Sequence, residues 1–213
     1  DITYCGIEPQ NVARYMKLQG INVYTVPTRG YNIIAYNQRD NGWEGLRNKE
    51  VRQALSMAVD KETIARKIFL GFAEPAYSFI PSSSPWYSDN TVLKLGVAPL
   101  NDKQKATEML KAAGYQYARS DGRDVLLGKD GKPVKLLMVT TPGSDVVESM
   151  SLLIKQELAA IGIDVEVKWV QWPTLLRQYM MNKQPGTDQE PRYNNGSRAV
   201  SEEGWDMTLM GHN

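Results

Sequence analysis

The stretch from Val134 to Val170 constrains the fold of this chain more than any other part of it. Val134 to Val139 is a run of β-formers, Asp145 to Ile161 carries Val147, Met150, Ile154, Leu158 and Ile161 along one helical face, and Ile163, Val165, Val167 and Trp169 alternate as a second strand. Gly162 ends the helix, because a residue without Cβ can take the left-handed exit conformation. Strand, helix and strand at this spacing predict a right-handed crossover with parallel strands, which needs helices over the faces of the sheet. The expected class is therefore α/β.

Other segments arrange themselves around that unit. Glu8-Pro9-Gln10 with Val12, Ala13 and Met16 predicts a short helix that exits at Gly20. Asn22 to Val26 and Tyr31 to Asn37 are rich in β-formers, and Pro27-Thr28-Arg29-Gly30 between them predicts a hairpin. Helical spacing from Leu46 to Gly71, broken at Asp60, predicts two helices capped by Asn48 and Asp60. Glu74 to Pro99, rich in proline and serine, reads as a long ordered surface loop. A further helix follows the cap residue Asp102 and closes at Gly114. Asp121-Gly122 to Lys132-Pro133 predicts a small hairpin around Asp130-Gly131. Trp172-Pro173 opens a helix to Met181, a polar segment at about 183–204 is expected to be the mobile loop, and Trp205 to Met210 is a last strand. Asp1 to Tyr4 is also strand-like.

Charge and composition remove several function classes. With 25 basic against 24 acidic side chains and a net charge of +1, there is no basic stripe for a sequence-blind nucleic-acid binder, so no nucleic-acid partner is expected. Apolar stretches of a few residues fall short of the roughly 20 needed to cross a bilayer. One cysteine, Cys5, forms no internal disulfide, and one histidine, His212, supplies no multi-histidine metal site. A Ser-His-Asp triad would rest on a residue next to the chain end. Neither metal nor cofactor is expected. The opening residues lack a charged start, apolar run and small-residue cleavage site, so any export signal is expected to have been removed or to belong to a longer parent chain.

Thr140 to Asp145 leaves the carboxyl end of a strand and enters a helix, the place where open α/β sheets put ligands. Its amides and hydroxyls suit a carboxylate or phosphate, whereas Asp145 already offsets the helix dipole, so a capped turn and a ligand loop both fit. Gly128 to Pro133 lacks the spacing of a phosphate loop, and no carboxylate pair lies in an apolar setting suited to acid-base work. Trp86, Tyr87 and Trp172, large aromatics on loops, are candidates for lining a cleft. Strand-like sequence at both extremities suggests a lobe whose two connections run into another body; a complete small α/β protein is the other reading of the pattern.

Tyr31-Asn32-Ile33-Ile34-Ala35-Tyr36-Asn37 followed by Leu46-Arg47-Asn48-Lys49-Glu50-Val51-Arg52-Gln53-Ala54-Leu55-Ser56-Met57-Ala58-Val59-Asp60-Lys61-Glu62-Thr63-Ile64 resembles the signature of the extracytoplasmic solute-binding proteins of ABC importers, family 5, the peptide and nickel class. Asp102 to Tyr115 and Leu158 to Trp172 are similar to later family segments, in the same order, and the resemblance covers nearly the whole chain. It implies one lobe of a two-lobed periplasmic-binding-protein-like fold, a mixed sheet flanked by helices, with residues 1–213 as a single second lobe of a longer protein.

The resemblance also implies a periplasmic or cell-surface location, no enzymatic activity, and three partners: the missing first lobe, a small solute or peptide, and a membrane permease. Ligand contacts are expected from Tyr31 and Asn32, from Thr141, Pro142, Gly143 and Ser144, and from the returning strand at Gly211 and His212. His212 stands where peptide-binding members typically carry tryptophan, the aspartate beyond it is missing, and the Thr140 to Ser144 loop holds no arginine for a dipeptide carboxylate. Two other functions are open at this point. One is a small hydrolase or transferase built on the Thr140 to Asp145 loop; the other is a receptor that uses the lobe for signalling.

Overall fold

A computed structural model describes residues 6–26, 28–90, 92–181 and 200–212. The opening strand expected at Asp1 to Tyr4 and most of the loop expected at 183–204 lie outside the described residues. The described helices and strands are α1 (Pro9–Tyr15), β1 (Tyr31–Tyr36), α2 (Lys49–Ala58), α3 (Lys61–Thr63), α4 (Lys103–Ala112), β2 (Gln116–Ser120), β3 (Arg123–Leu127), β4 (Lys135–Thr140), α5 (Asp145–Ala159), β5 (Asp164–Trp169), α6 (Trp172–Thr174) and β6 (Met207–His212). Wide π-helical turns extend α3 through Ile64–Ile68 and α6 through Leu175–Met180.

Four strands form the main sheet in the order β1-β6-β4-β5. β4 pairs in parallel with β5 on one side and with β6 on the other, while β1 is antiparallel to β6. The crossover unit read from the sequence is thus present, and the last strand slots between β1 and β4. Alternation along β4 sorts side chains to two faces. Leu136 and Met138 join Met207 and Leu209 beneath α2, α4 and α5 in the larger core, with Leu55, Leu110, Ile154 and Leu158. Val139 packs on the other face with Leu175, Tyr179 and Trp205.

Helix starts follow their caps. The side chains of Asn48, Asp102 and Ser144 accept from the backbone N–H groups of Glu50, Lys105 and Val147. Burial pushes the Asp60 carboxyl up, but its bonds from Thr63 N (2.8 Å) and Thr63 Oγ1 (2.7 Å), with Lys103 and Arg66 nearby, outweigh that and hold it below the ordinary value. A carboxyl lowered by folding stabilises the fold above its unfolded value of 3.8, and that stabilisation is lost as pH falls through the folded one. Asp60→Ala is therefore expected to cost about 1 kcal/mol at neutral pH. The gap between variant and parent should close in acid, as read from urea midpoints at pH 7 and pH 3.

One expectation is corrected, and another is met beside a longer neighbour. Asn22 to Val26 forms no hairpin with β1: those residues carry no strand, and β1 pairs instead with the distant β6. The small hairpin expected around Asp130-Gly131 is present, closed by a Leu127–Pro133 bridge and by Val134 N donating to Leu126 O at 2.8 Å. A longer hairpin, β2-β3, precedes it and turns at Asp121-Gly122. Leu126 N donates to Gly162 O at 2.8 Å and so anchors β3 on the α5-β5 turn.

Opposite the carboxyl ends of the parallel strands, a polar clasp holds the base of β6. Asp206 accepts from Trp43 N at 2.6 Å and from Leu137 N at 2.7 Å. Buried Asn37 donates to Trp205 O at 2.7 Å, and Asn41 donates to Ser201 Oγ at 2.9 Å. Desolvation pushes the Asp206 carboxyl above its ordinary value, and the two N–H donors only partly oppose it.

Candidate functional site at the strand-end rim

In a sheet where β4, β5 and β6 run in parallel, their carboxyl ends come together at one end, and the crevice outside those ends is where such sheets bind ligands. Here Thr140 lies in register with Leu209 on one side and Trp169 on the other. Because β1 is antiparallel, its amino end falls at the same place: Tyr31 pairs with His212 and Asn32 with Gly211. One rim therefore collects Tyr31, Asn32, Gly211, His212 and the loop Thr141, Pro142, Gly143 and Ser144 that leaves β4. Trp172 follows β5 at this end and is exposed. Residues far apart in the chain are brought together by strand register alone.

Thr140 is fully buried, and its hydroxyl donates to Leu209 O at 2.7 Å, which ties β4 to β6 just below the rim. Gly143 has φ of +100°, a left-handed conformation that lets the chain turn from β4 into α5. Ser144 Oγ is engaged as the α5 cap, and exposed Asp145 accepts from Gln10 of α1 at 3.3 Å. Gly211 leaves room at the surface, since a Cβ there would meet Asn32 Oδ1 at an ordinary 3.5 Å.

Sequence reasoning missed Phe79. It is 78 % exposed, and its ring meets Tyr31 edge-on at 6.2 Å, which brings the long 74–99 loop to the rim. No local pattern marks it, because the contact spans the chain from loop to strand. Trp86 and Tyr87 are placed differently. No described contact links either to the rim; Trp86 is 82 % exposed, and Tyr87 donates to Asp89 at 2.8 Å. The same Asp89 takes Lys94 Nζ at 2.6 Å, and the Tyr77 ring lies 5.7 Å from Lys94 and 5.5 Å from Lys61. Those bonds lower the Asp89 carboxyl through Lys94 first and Tyr87 second, and raise Lys94 through Asp89.

The described groups of the rim all come from one end of the sheet. Two surface concavities, one lined by Gly114, Gln116, Gly128 and Lys129 and one by Pro173, Arg177, Gln178 and Glu202, take in neither Tyr31, Asn32 nor the 141–144 loop. No group of three or more possible metal-ligating side chains occurs among the described residues, and none of the described helices is long and apolar enough to cross a membrane. An open rim of hydroxyls, amides and aromatic edges can contact a solute from one side only.

The family model for bacterial extracellular solute-binding proteins, family 5 Middle, matches residues 1–213. Oligopeptide-binding protein AppA of Bacillus subtilis is 30% identical over 178 residues, which make up 84% of this chain and 31% of that protein. The solved structure of AppA from Bacillus subtilis in complex with a nonapeptide superimposes with a TM-score of 0.73 at 26% identity, over 97% of this chain and 35% of that one. Lactococcal OppA, complexed with an endogenous peptide in the closed conformation, superimposes with a TM-score of 0.74 at 21% identity, over 97% of this chain and 36% of that one. The chain spans about a third of the length of these relatives.

Proposed function

The chain belongs to the bacterial extracellular solute-binding proteins of family 5, and from that premise we propose that it supplies one lobe of a two-lobed binding protein that captures an oligopeptide-like solute for import. The observation that carries this reading is the convergence of β1, β4 and β6 on one open rim. A second lobe closing over that rim would complete the contacts and exclude water, and the closed form would be handed to a membrane permease. Closure is favoured by solute because only the closed form touches it from both sides. An extracytoplasmic location accords with the family.

Peptide-like solutes fit the rim's chemistry. Its described side chains are hydroxyls, an amide and aromatic rings, with Asp145 the charged exception, so they can take up a peptide backbone without demanding a particular side chain. AppA and OppA, named above for their peptides, support the same class. A catalytic reading asks for a base beside Ser144, whereas the described hydroxyl is occupied by Val147 N in capping α5. Binding without chemistry is the function proposed.

Mass spectrometry of the solute that co-purifies with the intact protein tests the proposal; peptides in the cleft support it, and a protein that captures no solute of any class contradicts it. Gly211→Leu tests the rim. The position accepts a Cβ, so stability should change by less than about 0.5 kcal/mol. The added side chain lies against Asn32 at the rim, and peptide affinity of the intact protein should fall at least about tenfold, or ~1.4 kcal/mol, by calorimetry.

A further inference from the structure

We propose that Tyr77, seated beside the ammonium groups of Lys61 and Lys94, is a positioning residue of the rim: it fixes the 74–82 loop so that the Phe79 ring stays against Tyr31. The proposal rests on the reading of the rim as the solute-binding surface and deepens it by naming what holds Phe79 there.

Phe79 has little of its own to hold it. Its side chain is 78 % exposed and joins neither hydrophobic core, and the described ring contact it makes is the edge-on one with Tyr31 at 6.2 Å. A single exposed ring contact is weak beside the backbone freedom that a loop segment loses when it is ordered. Other groups must therefore set where the ring sits.

Those groups lie just before it in sequence. Lys61 Nζ stands 5.5 Å and Lys94 Nζ 5.7 Å from the centre of the Tyr77 ring, within the distance at which a cation is drawn to an aromatic face. Lys61 Nζ also donates to Ala76 O at 3.2 Å, beside the ring it meets. Both lysines are themselves anchored: Lys61 opens α3 with its backbone N–H on Gly96 O at 2.9 Å, and Lys94 Nζ is bound to Asp89 Oδ2 at 2.6 Å. Gly96 lies so close to the end of α2 that a Cβ on it would come within 2.4 Å of Val59 O. The segment after Lys94 is thus seated against the helices, and Tyr77 joins the 74–82 loop to that frame.

From Tyr77 the frame reaches Phe79 in two residues. Ser78 Oγ accepts from Ile80 N at 3.1 Å, which closes a tight turn with Phe79 at its tip. Ser82 Oγ donates to the Glu74 carboxylate and closes the loop at its base. With base and flank both fixed, Phe79 is presented to β1 instead of sampling the solvent. No described contact links Tyr77 itself to Tyr31, Asn32 or the 141–144 loop, so its influence on the rim passes through Phe79. A side chain already in place before the solute arrives loses less freedom when the solute binds.

A double-mutant cycle on the intact protein decides it, with the affinity for a synthetic nonapeptide of alternating alanine, phenylalanine and lysine read by calorimetry. Tyr77→Ala is expected to weaken binding at least about threefold, and Tyr77→Phe, which keeps the ring face for both ammonium groups, by less than about 1.5-fold. In a Phe79→Ala background, Tyr77→Ala should add less than about 1.5-fold, because its effect passes through the Phe79 ring. Additive losses overturn the proposal, as does full affinity in Tyr77→Ala or an equal loss in Tyr77→Phe. Tyr77 joins neither hydrophobic core, so both variants are expected to fold. The nuclear Overhauser contact between the Tyr31 and Phe79 rings, followed with protonated tyrosine and phenylalanine in a deuterated background, reads the ring's position without solute. It should vanish in Tyr77→Ala and persist in Tyr77→Phe; its persistence in Tyr77→Ala overturns the proposal. An intact protein that shows this loss of ring contact yet binds no peptide upholds the positioning role and defeats the binding reading alone.

Discussion

Asp206→Ala should destabilise the chain by about 3 kcal/mol at pH 7, because two backbone donors would be left without an acceptor at roughly 1–3 kcal/mol each. Asp206 Oδ1 takes Trp43 N and Oδ2 takes Leu137 N, so a single carboxylate joins the loop after β1 to β4 and to the segment that leads into β6. No neighbour can replace it: Asn37 and Asn41, the other polar groups of the clasp, already serve Trp205 O and the Ser201 segment. Asp206→Asn should recover less than half of the loss, since its amide nitrogen would face one of the two donors. Urea denaturation with the slope held in common measures both.

The pH dependence has the opposite sign from that of Asp60. Folding raises the Asp206 carboxyl, through burial first, so its own titration favours the fold most below its unfolded value of 3.8 and progressively less as pH rises through the folded one. Asp60 loses its contribution in acid, whereas Asp206 does not. A parent whose stability near pH 4 depends on Asp60 but not on ionised Asp206 follows from the two shifts together.

The parts of this architecture that could be read from the sequence are those whose partners are local. Val134 to Val170 declared itself because a long helix with one apolar face sits between two strands, and all three pack on one another. Asn48, Asp60 and Asp102 were legible as caps because each needs only an amide two or three residues on. Long-range pairing was not legible. Tyr31 to Asn37 carries the same β-forming signal whether it pairs with Asn22 to Val26 or with Met207 to His212, and only the assembled sheet selects the second. Asp121-Gly122 and Asp130-Gly131 both turn the chain, and it is the longer β2-β3 pairing across the first that local pattern does not mark.

The site divides along the same line. Thr141 to Ser144 follows from strand-helix order, and Tyr31, Asn32, Gly211 and His212 came from the family resemblance, which the register then joins at one end of the sheet. Phe79 and the Asp206 clasp left no trace in local pattern, since each acts across the fold.

A rim open on one side should bind solute poorly by itself, and this is the larger of the two expected effects. An affinity near 1 μM corresponds to about −8 kcal/mol, so a lobe that supplies half of the contacts retains about −4 kcal/mol, or roughly 1 mM. On the proposed reading, the intact protein would bring both halves and the closing motion that joins them. Isothermal calorimetry of the co-purifying peptide against the 213-residue chain and against the intact protein is therefore the most direct measurement. The account predicts a loss of about a thousandfold or no measurable heat with the 213-residue chain. Submicromolar binding by that chain alone would contradict it.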